Sequence, residues 1–286
     1  VISLRSATLA AACLICLVPS IVTAADVTAG TWSIGRSAQP GAVQFEIRVA
    51  DAVGEITEST DIEAAVLGLT AGQLQSGGNH VTFGLAREAG ELSCDGWLAN
   101  GTGGGSFTFA PSSAYVAAMR RRGYDDLPPR RLLTLAMIDL TTAYVDAIAA
   151  AGYAHLQLHD MIAFRALRID VPFVRSMRAA FAGELTARDL IALRALNVSN
   201  EYVAQIRQAG FAVRTAHEAI QLKALNVDAG YVRELASAGY THLEPNELIE
   251  MKAMGIDGDY IKRVRAHGFK NLTVQQLIRA KALNVI

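Results

Sequence analysis

The stretch at 197–220, NVSNEYVAQIRQAGFAVRTAHEAI, is one copy of a unit that this chain repeats. Steps of 29 residues from Tyr202 reach Tyr115, Tyr144, Phe173, Tyr231 and Tyr260, an aromatic each time and with no insertion. A second column, Leu133, Ile162, Ile191, Ile220, Ile249 and Ile278, keeps the same period. Two apolar columns on one period define a repeat array.

Each unit reads as two short helices. Ser112, Thr141, Asp170, Ser199, Asp228 and Asp257 stand three residues before the aromatics, and all can accept a hydrogen bond from a free N–H at a helix start. Apolar residues one and four positions after the aromatic extend a single stripe along the first helix. Glycine at 123, 152, 210, 239 and 268 closes it. The third copy has Phe181 there, and Ala182 where the other copies carry a second aromatic, so its turn is expected to be rebuilt around Gly183. Thr186, Thr215 and Thr273, followed by Asp189, Glu218 and Gln276, form reciprocal caps at the second helix. Pro129 and Pro245 fall at its first position in two further copies. Asn197, Asn226, Gly255 and Asn284 end it. Val198, Val227, Ile256 and Val285 follow and staple the chain into the next repeat. Units this small bury their stripes only by stacking, which makes residues 112–286 an α-solenoid of six repeats. The period excludes tetratricopeptide (about 34) and ankyrin (about 33) arrays. Val285 and Ile286 stop before a further first helix, which is expected to continue or to be covered by a partner.

Residues 1–24 read as a secretory signal, with Arg5, an apolar run at 7–18 and the small-residue site Val22-Thr23-Ala24. The run falls short of the roughly 20 residues of a membrane span, so no stable membrane insertion is expected after cleavage. The expected location is periplasmic or secreted. Cleavage leaves Cys94 alone, which excludes an internal disulfide and reads as a buried apolar residue. Residues 26–111 form a different, small antiparallel β domain, giving an α+β chain. Alternation at 43–49 and the runs at 81–86, 91–98 and 106–109 mark strands, with turns at Ala89-Gly90 and Asn100-Gly101 and a short helix expected over 60–69. The β domain carries three basic and ten acidic residues, net −7; residues 112–286 carry 22 and 17, net +5. The near-neutral total therefore hides a dipolar molecule.

The most regular charged feature is Arg165, Arg194, Lys223, Lys252 and Lys281, one cation per repeat. Stacking would align them into a ladder, the candidate binding track. Their place near the helix C-terminus, opposite Asp160, Asp189, Glu218 and Glu247 in the first turn, equally suits the helix dipole. A second column, Arg120, Arg178, Arg207 and Arg265, is broken by Ala149 and Ala236. His155 and His242 occupy equivalent turn positions and read as surface residues, and no HExxH or CxxC spacing points to a metal. The glycine run at 101–105 precedes a strand-like segment, not a helix, and reads as a flexible hairpin rather than a phosphate loop. No nucleophile elbow is present. Net charge and core-facing aromatics argue against nucleic acid.

The run VTF at 81–83 through REAG at 87–90 and Gly96, GTGGGSFTF at 101–109, and repeat segments such as LIALR at 190–194 through Val198 and Tyr202 carry a resemblance. Together they resemble the soluble extracytoplasmic part of membrane metallopeptidase sensors of the β-lactam-sensor type, and free-standing exported relatives mostly of unassigned function. The zinc HExxH and membrane helices of such sensors are missing, so no catalytic residue carries over. The resemblance implies an envelope-facing interaction module. The expected function is an exported scaffold or sensor module without catalysis or cofactor, binding a protein, a peptide or an acidic envelope polymer. The alternative is an envelope hydrolase or its inhibitor, with a site where the β domain meets the solenoid.

Overall fold

The computed structural model describes residues 28–51 and 54–284; the expected signal at 1–24, like Val285, lies outside them. Strands β1 (Thr28–Arg36), β2 (Ala42–Asp51), β3 (Gly54–Glu63), β4 (Asn79–Arg87), β5 (Gly90–Ala99) and β6 (Thr102–Pro111) form one antiparallel sheet in the order β3-β2-β1-β6-β5-β4. The four strands expected from alternation fall in β2, β4, β5 and β6; β1 and β3 were not foreseen. The helix expected over 60–69 is instead the end of β3, a single tight turn of helix at Ala64–Leu67, and only then the short α1 (Ala71–Gln75).

The glycine run also departs from expectation. Asn100 and Gly101 alone make the turn, with φ of 52° and 78°, the left-handed pair of a two-residue hairpin. Gly103, Gly104 and Gly105 lie within β6, paired on both sides. Trp32 accounts for Gly105: a Cβ there would come within 2.8 Å of the Trp32 Nε1, and one on Gly96 of β5 within 2.6 Å of its Cζ2. The indole passes both glycines, donates its Nε1 to Asp95 O at 3.1 Å and meets Phe83 edge-on, centroid to centroid 4.8 Å. Phe45 of β2 also meets Phe83 of β4 at 6.0 Å. Those strands are four intervals apart, about 19 Å in a flat sheet, so the sheet is strongly curled.

The first helices of the repeats are α2 (Ser113–Arg120), α4 (Thr142–Ile148), α6 (Val171–Ala180), α8 (Asn200–Gln208), α10 (Ala229–Ser237) and α12 (Gly258–Ala266). The second helices are α3 (Pro129–Met137), α5 (Leu158–Ala166), α7 (Ala187–Ala195), α9 (Ala216–Ala224), α11 (Pro245–Ala253) and α13 (Val274–Ala282). All six expected N-cap side chains accept from the N–H of the aromatic. The three threonine capping boxes are formed. Phe181 stays at φ −121° and Gly183 takes the left-handed turn at 96°, as its sequence requires. Asp139 and Arg168 also turn left-handed, at φ 55° each, where later repeats use Asn or Gly.

Like packs on like. α5, α7, α9, α11 and α13 touch in succession, and α6, α8 and α10 do the same, giving two stacked rows. α3 packs against β3, β5 and β6 and buries Leu132, Leu133, Leu135 and Ala136, so the sheet covers the first repeat.

One hydrogen bond recurs across the repeats. Tyr115, Tyr144, Tyr202 and Tyr231 donate their hydroxyls to the carbonyls of Leu140, Ile169, Val227 and Ile256, at 2.7, 2.6, 2.8 and 2.7 Å. Each acceptor lies 25 residues on, at the entry to the next repeat. Phe173 has no hydroxyl for Val198. Tyr202→Phe should therefore destabilise the chain by about 1–3 kcal/mol, because a buried carbonyl loses its donor. Phe173→Tyr should stabilise it by about 0.5–1.5 kcal/mol. Urea unfolding checks both, and a Tyr202→Phe midpoint equal to that of the parent chain removes the bond from the account.

Candidate functional site

The five ladder cations lie in the last turns of α5, α7, α9 and α11 and of α13, and all are half-buried. Each sits over the first-column ring of its own repeat. Arg165 is 5.3 Å from the Tyr144 centroid and Arg194 5.0 Å from Phe173. Lys223 is 4.5 Å from Tyr202, Lys252 4.2 Å from Tyr231 and Lys281 4.2 Å from Tyr260. A cation over the negative face of a ring is attracted by its quadrupole, by about 0.5–1 kcal/mol at exposed sites. The two arginines also reach back to the preceding second helix. Arg165 Nε donates to Ile138 O and Asp139 O at 3.0 and 2.8 Å, and Arg194 Nε to Leu167 O at 3.0 Å.

The interrupted column does the equivalent job for the first helices. Arg207 donates to Ala180 O at 2.7 Å, Arg265 donates to Ala238 O, and Arg178 stacks on Tyr153 at 5.0 Å. Arg165, Arg194, Arg207 and Arg265 thus satisfy carbonyls that a helix end leaves free, whereas the three ladder lysines rest on rings alone. Only one ladder cation has a carboxylate: Arg165 Nη2 lies 2.9 Å from Asp139 Oδ2. Among the described residues Arg194, Lys223, Lys252 and Lys281 form no ion pair, and their charge is left uncompensated.

Where the β domain meets the solenoid, a cleft of about 510 Å³ is bordered by Glu58, Asp61, Arg87, Asp139, Arg165, Arg168 and Asp170. Asp139 joins the domains, its Oδ1 3.4 Å from Arg87 Nε and its other oxygen on Arg165. Glu58 accepts from Thr134 Oγ1 at 2.9 Å, and Glu88 from the backbone N–H of Thr142 at 2.9 Å. Asp170 is spent on the cap of α6, at 2.8 Å from Phe173 N. The cleft thus holds four carboxylates, of which only Asp61 has a side chain without a partner among the described residues.

His155 and His242 are exposed, both with positive φ. Among the described residues no three His, Cys, Asp or Glu side chains converge as a metal site. Cys94 is buried, and that burial pushes its thiol up to about 12. No single described helix is long and apolar enough to cross a membrane; α3 and the segment from Thr142 to Tyr153 together have the composition but bend by 76°. No protein-family model, curated protein or solved structure matches this chain.

The sequence located the ladder but not what lies beneath it. The constant 21-residue offset between ring and cation columns was the available signal. Asp139 carried none, since its two partners come from distant elements.

Burial raises Tyr202 to about 12 and, with Asp228 adding to it, keeps the hydroxyl protonated as a donor. Tyr115, Tyr144 and Tyr231 are raised too, again chiefly by burial. Unfolded tyrosine titrates near 10. The stability these hydroxyls contribute is thus full below about pH 10 and lost as pH climbs through the raised folded values. Cooperative unfolding is expected between about pH 10 and 12, with tyrosinate absorbance rising in step with loss of helical circular dichroism. Full tyrosinate absorbance in a chain that keeps its helix would contradict this.

Proposed function

We propose that this chain is an exported binding module without catalytic activity, whose solenoid presents its cation ladder to an acidic protein, peptide or envelope polymer. The observation that supports this reading is the uncompensated charge. Arg194, Lys223, Lys252 and Lys281 are held in register by rings, Arg194 by a carbonyl as well, yet none is neutralised by a carboxylate among the described residues. A ring stack fixes a cation without cancelling its charge, so the row is preorganised for an extended anion. The resemblance to the extracytoplasmic part of β-lactam-sensor-type metallopeptidases supports an envelope-facing role. A second reading, an envelope hydrolase or its inhibitor, is favoured by the junction cleft with its carboxylates. Against it, both oxygens of Asp139 are engaged by arginines.

The test is a crosslinking pull-down from bacterial envelope with the chain and with Lys223→Met/Lys252→Met/Lys281→Met, a change that keeps the packing and removes charge. Capture by the parent chain, lost in the variant and weakened by salt, is expected. Equal capture by both removes the ladder from the function. Turnover of an envelope polymer that is abolished by Asp61→Ala would transfer the function to the junction cleft.

A further inference from the structure

The two faces of the curled sheet differ sharply. Its concave face holds the apolar core, whereas the outward side chains of β4, β5 and β6 form cross-strand rows: three that begin at Trp97 and, beyond them, a fourth, Ala86–Glu91–Ala110. The register gives His80–Trp97–Gly104, then Thr82–Asp95–Ser106, then Gly84–Ser93–Thr108. Rows two residues apart along a strand are separated by about 7 Å. A shallow trough of about 510 Å³ runs over the second and third of these rows, its polar lining Thr82, Glu91, Ser93, Asp95, Ser106 and Thr108.

Trp97, in the row next to this trough, is 63% exposed, while Trp32 is 3% exposed. Its surroundings keep it in place without covering it. His80 meets the indole edge-on, 5.5 Å between centroids at 74°, and is itself fixed by Asp95, Nε2 to Oδ2 3.1 Å. On the other side its cross-strand neighbour is Gly104, which has no side chain to lay across the ring. A bare indole beside a row of hydroxyls offers a flat apolar stacking face next to hydrogen-bonding groups.

We propose that this outer face is a glycan-binding platform, on which a neutral sugar ring stacks against Trp97 and its hydroxyls bond to Asp95 and the trough hydroxyls. The C–H face of a pyranose is weakly positive and complements the negative face of an indole. The serine and threonine hydroxyls both donate and accept, and the Asp95 carboxylate accepts, which suits a hydroxyl-rich ligand. Charge excludes the phosphate-bearing alternatives. No Lys or Arg occurs in the three rows, and the β domain carries a net −7 (three basic, ten acidic). Stacking of single-stranded nucleic acid needs a basic groove beside the ring. This inference stands on the β domain alone and is independent of the ladder.

The chain has two tryptophans and Trp32 is buried, so a change in emission on ligand addition reports Trp97. The full chain is titrated with hexasaccharides of β-1,4-linked N-acetylglucosamine and of β-1,4-linked glucose, and variants are followed by calorimetry. A saturable response to at least one sugar is expected below about 10 mM. Trp97→Ala should weaken binding at least about tenfold, Trp97→Phe should retain part of it, and Asp95→Asn should weaken it at least about threefold. Circular dichroism confirms the fold of each variant. No saturable response to either sugar overturns the proposal, as does unchanged affinity in Trp97→Ala. Binding of a single-stranded oligonucleotide in place of both sugars overturns it too.

Discussion

Three repeat tyrosines, Tyr144, Tyr202 and Tyr231, are each held on three sides at once, and the solenoid depends on that. The Tyr202 N–H donates to Ser199 Oγ at 3.1 Å, its ring lies under Lys223 at 4.5 Å, and its hydroxyl reaches Val227 O at 2.8 Å. These contacts tie the start of one helix to the last turn of the next and to the residue that opens the following repeat. One inserted residue between 202 and 227 would detach the ring from the cation or the hydroxyl from the carbonyl. The cap is worth about 1 kcal/mol, the hydroxyl bond about 1 and the stack about 0.5–1. Recurring along the array, such terms are large beside a typical folding margin of about 5–15 kcal/mol. That is a physical reason for a period without insertions.

Much of the solenoid was legible because its signals are local. Caps, helix-ending glycines and apolar stripes each act within a turn or two, and Gly183 could be singled out from Phe181 alone. The hydroxyl acceptors were not legible, since an aromatic column reads as core whether or not its rings carry oxygen. The β domain was harder. β3, GEITESTDIE, is an edge strand with charged and hydroxylated residues outward, the composition that discourages edge-to-edge pairing and hides alternation. The glycines of β6 resemble a loop until Trp32 is set against Gly105; only the curled sheet brings indole and backbone together. Of the candidate site, the ladder was visible as a column. Its rings were visible as another, and the contact between the two was not.

The ladder meets two demands with the same atoms. Cations at helix C-termini suit the dipole, and the ring stacks fix them, so no ligand is needed to explain their presence. Neighbouring helices nonetheless lie about 8–10 Å apart, near the screening length at physiological salt, about 8 Å. A row of like charges at that spacing is mildly repulsive and adds to one continuous positive potential. Arg165 is the exception. Asp139, shared with Arg87, compensates its charge where the β domain abuts the array, so the charge is spent at that end on joining the domains. Beyond the junction it stays open.

The outer face of β4 to β6 follows a different logic from the other exposed strand. Edge strand β3 meets solvent with Glu55, Asp61 and Glu63, the kind of side chain a solvated edge uses. The three rows at β4 to β6 instead carry short hydroxyls, glycines, one carboxylate, one imidazole and one bare indole. Short side chains lose little rotamer entropy when a ligand settles on them, and an indole has only two side-chain torsions to fix. Long lysines and glutamates would serve solubility better and would have to be ordered on binding. Gly105 and Gly96 make room for the Trp32 indole on the inside, while Gly104, facing outward beside Gly105, leaves the ground next to Trp97 flat.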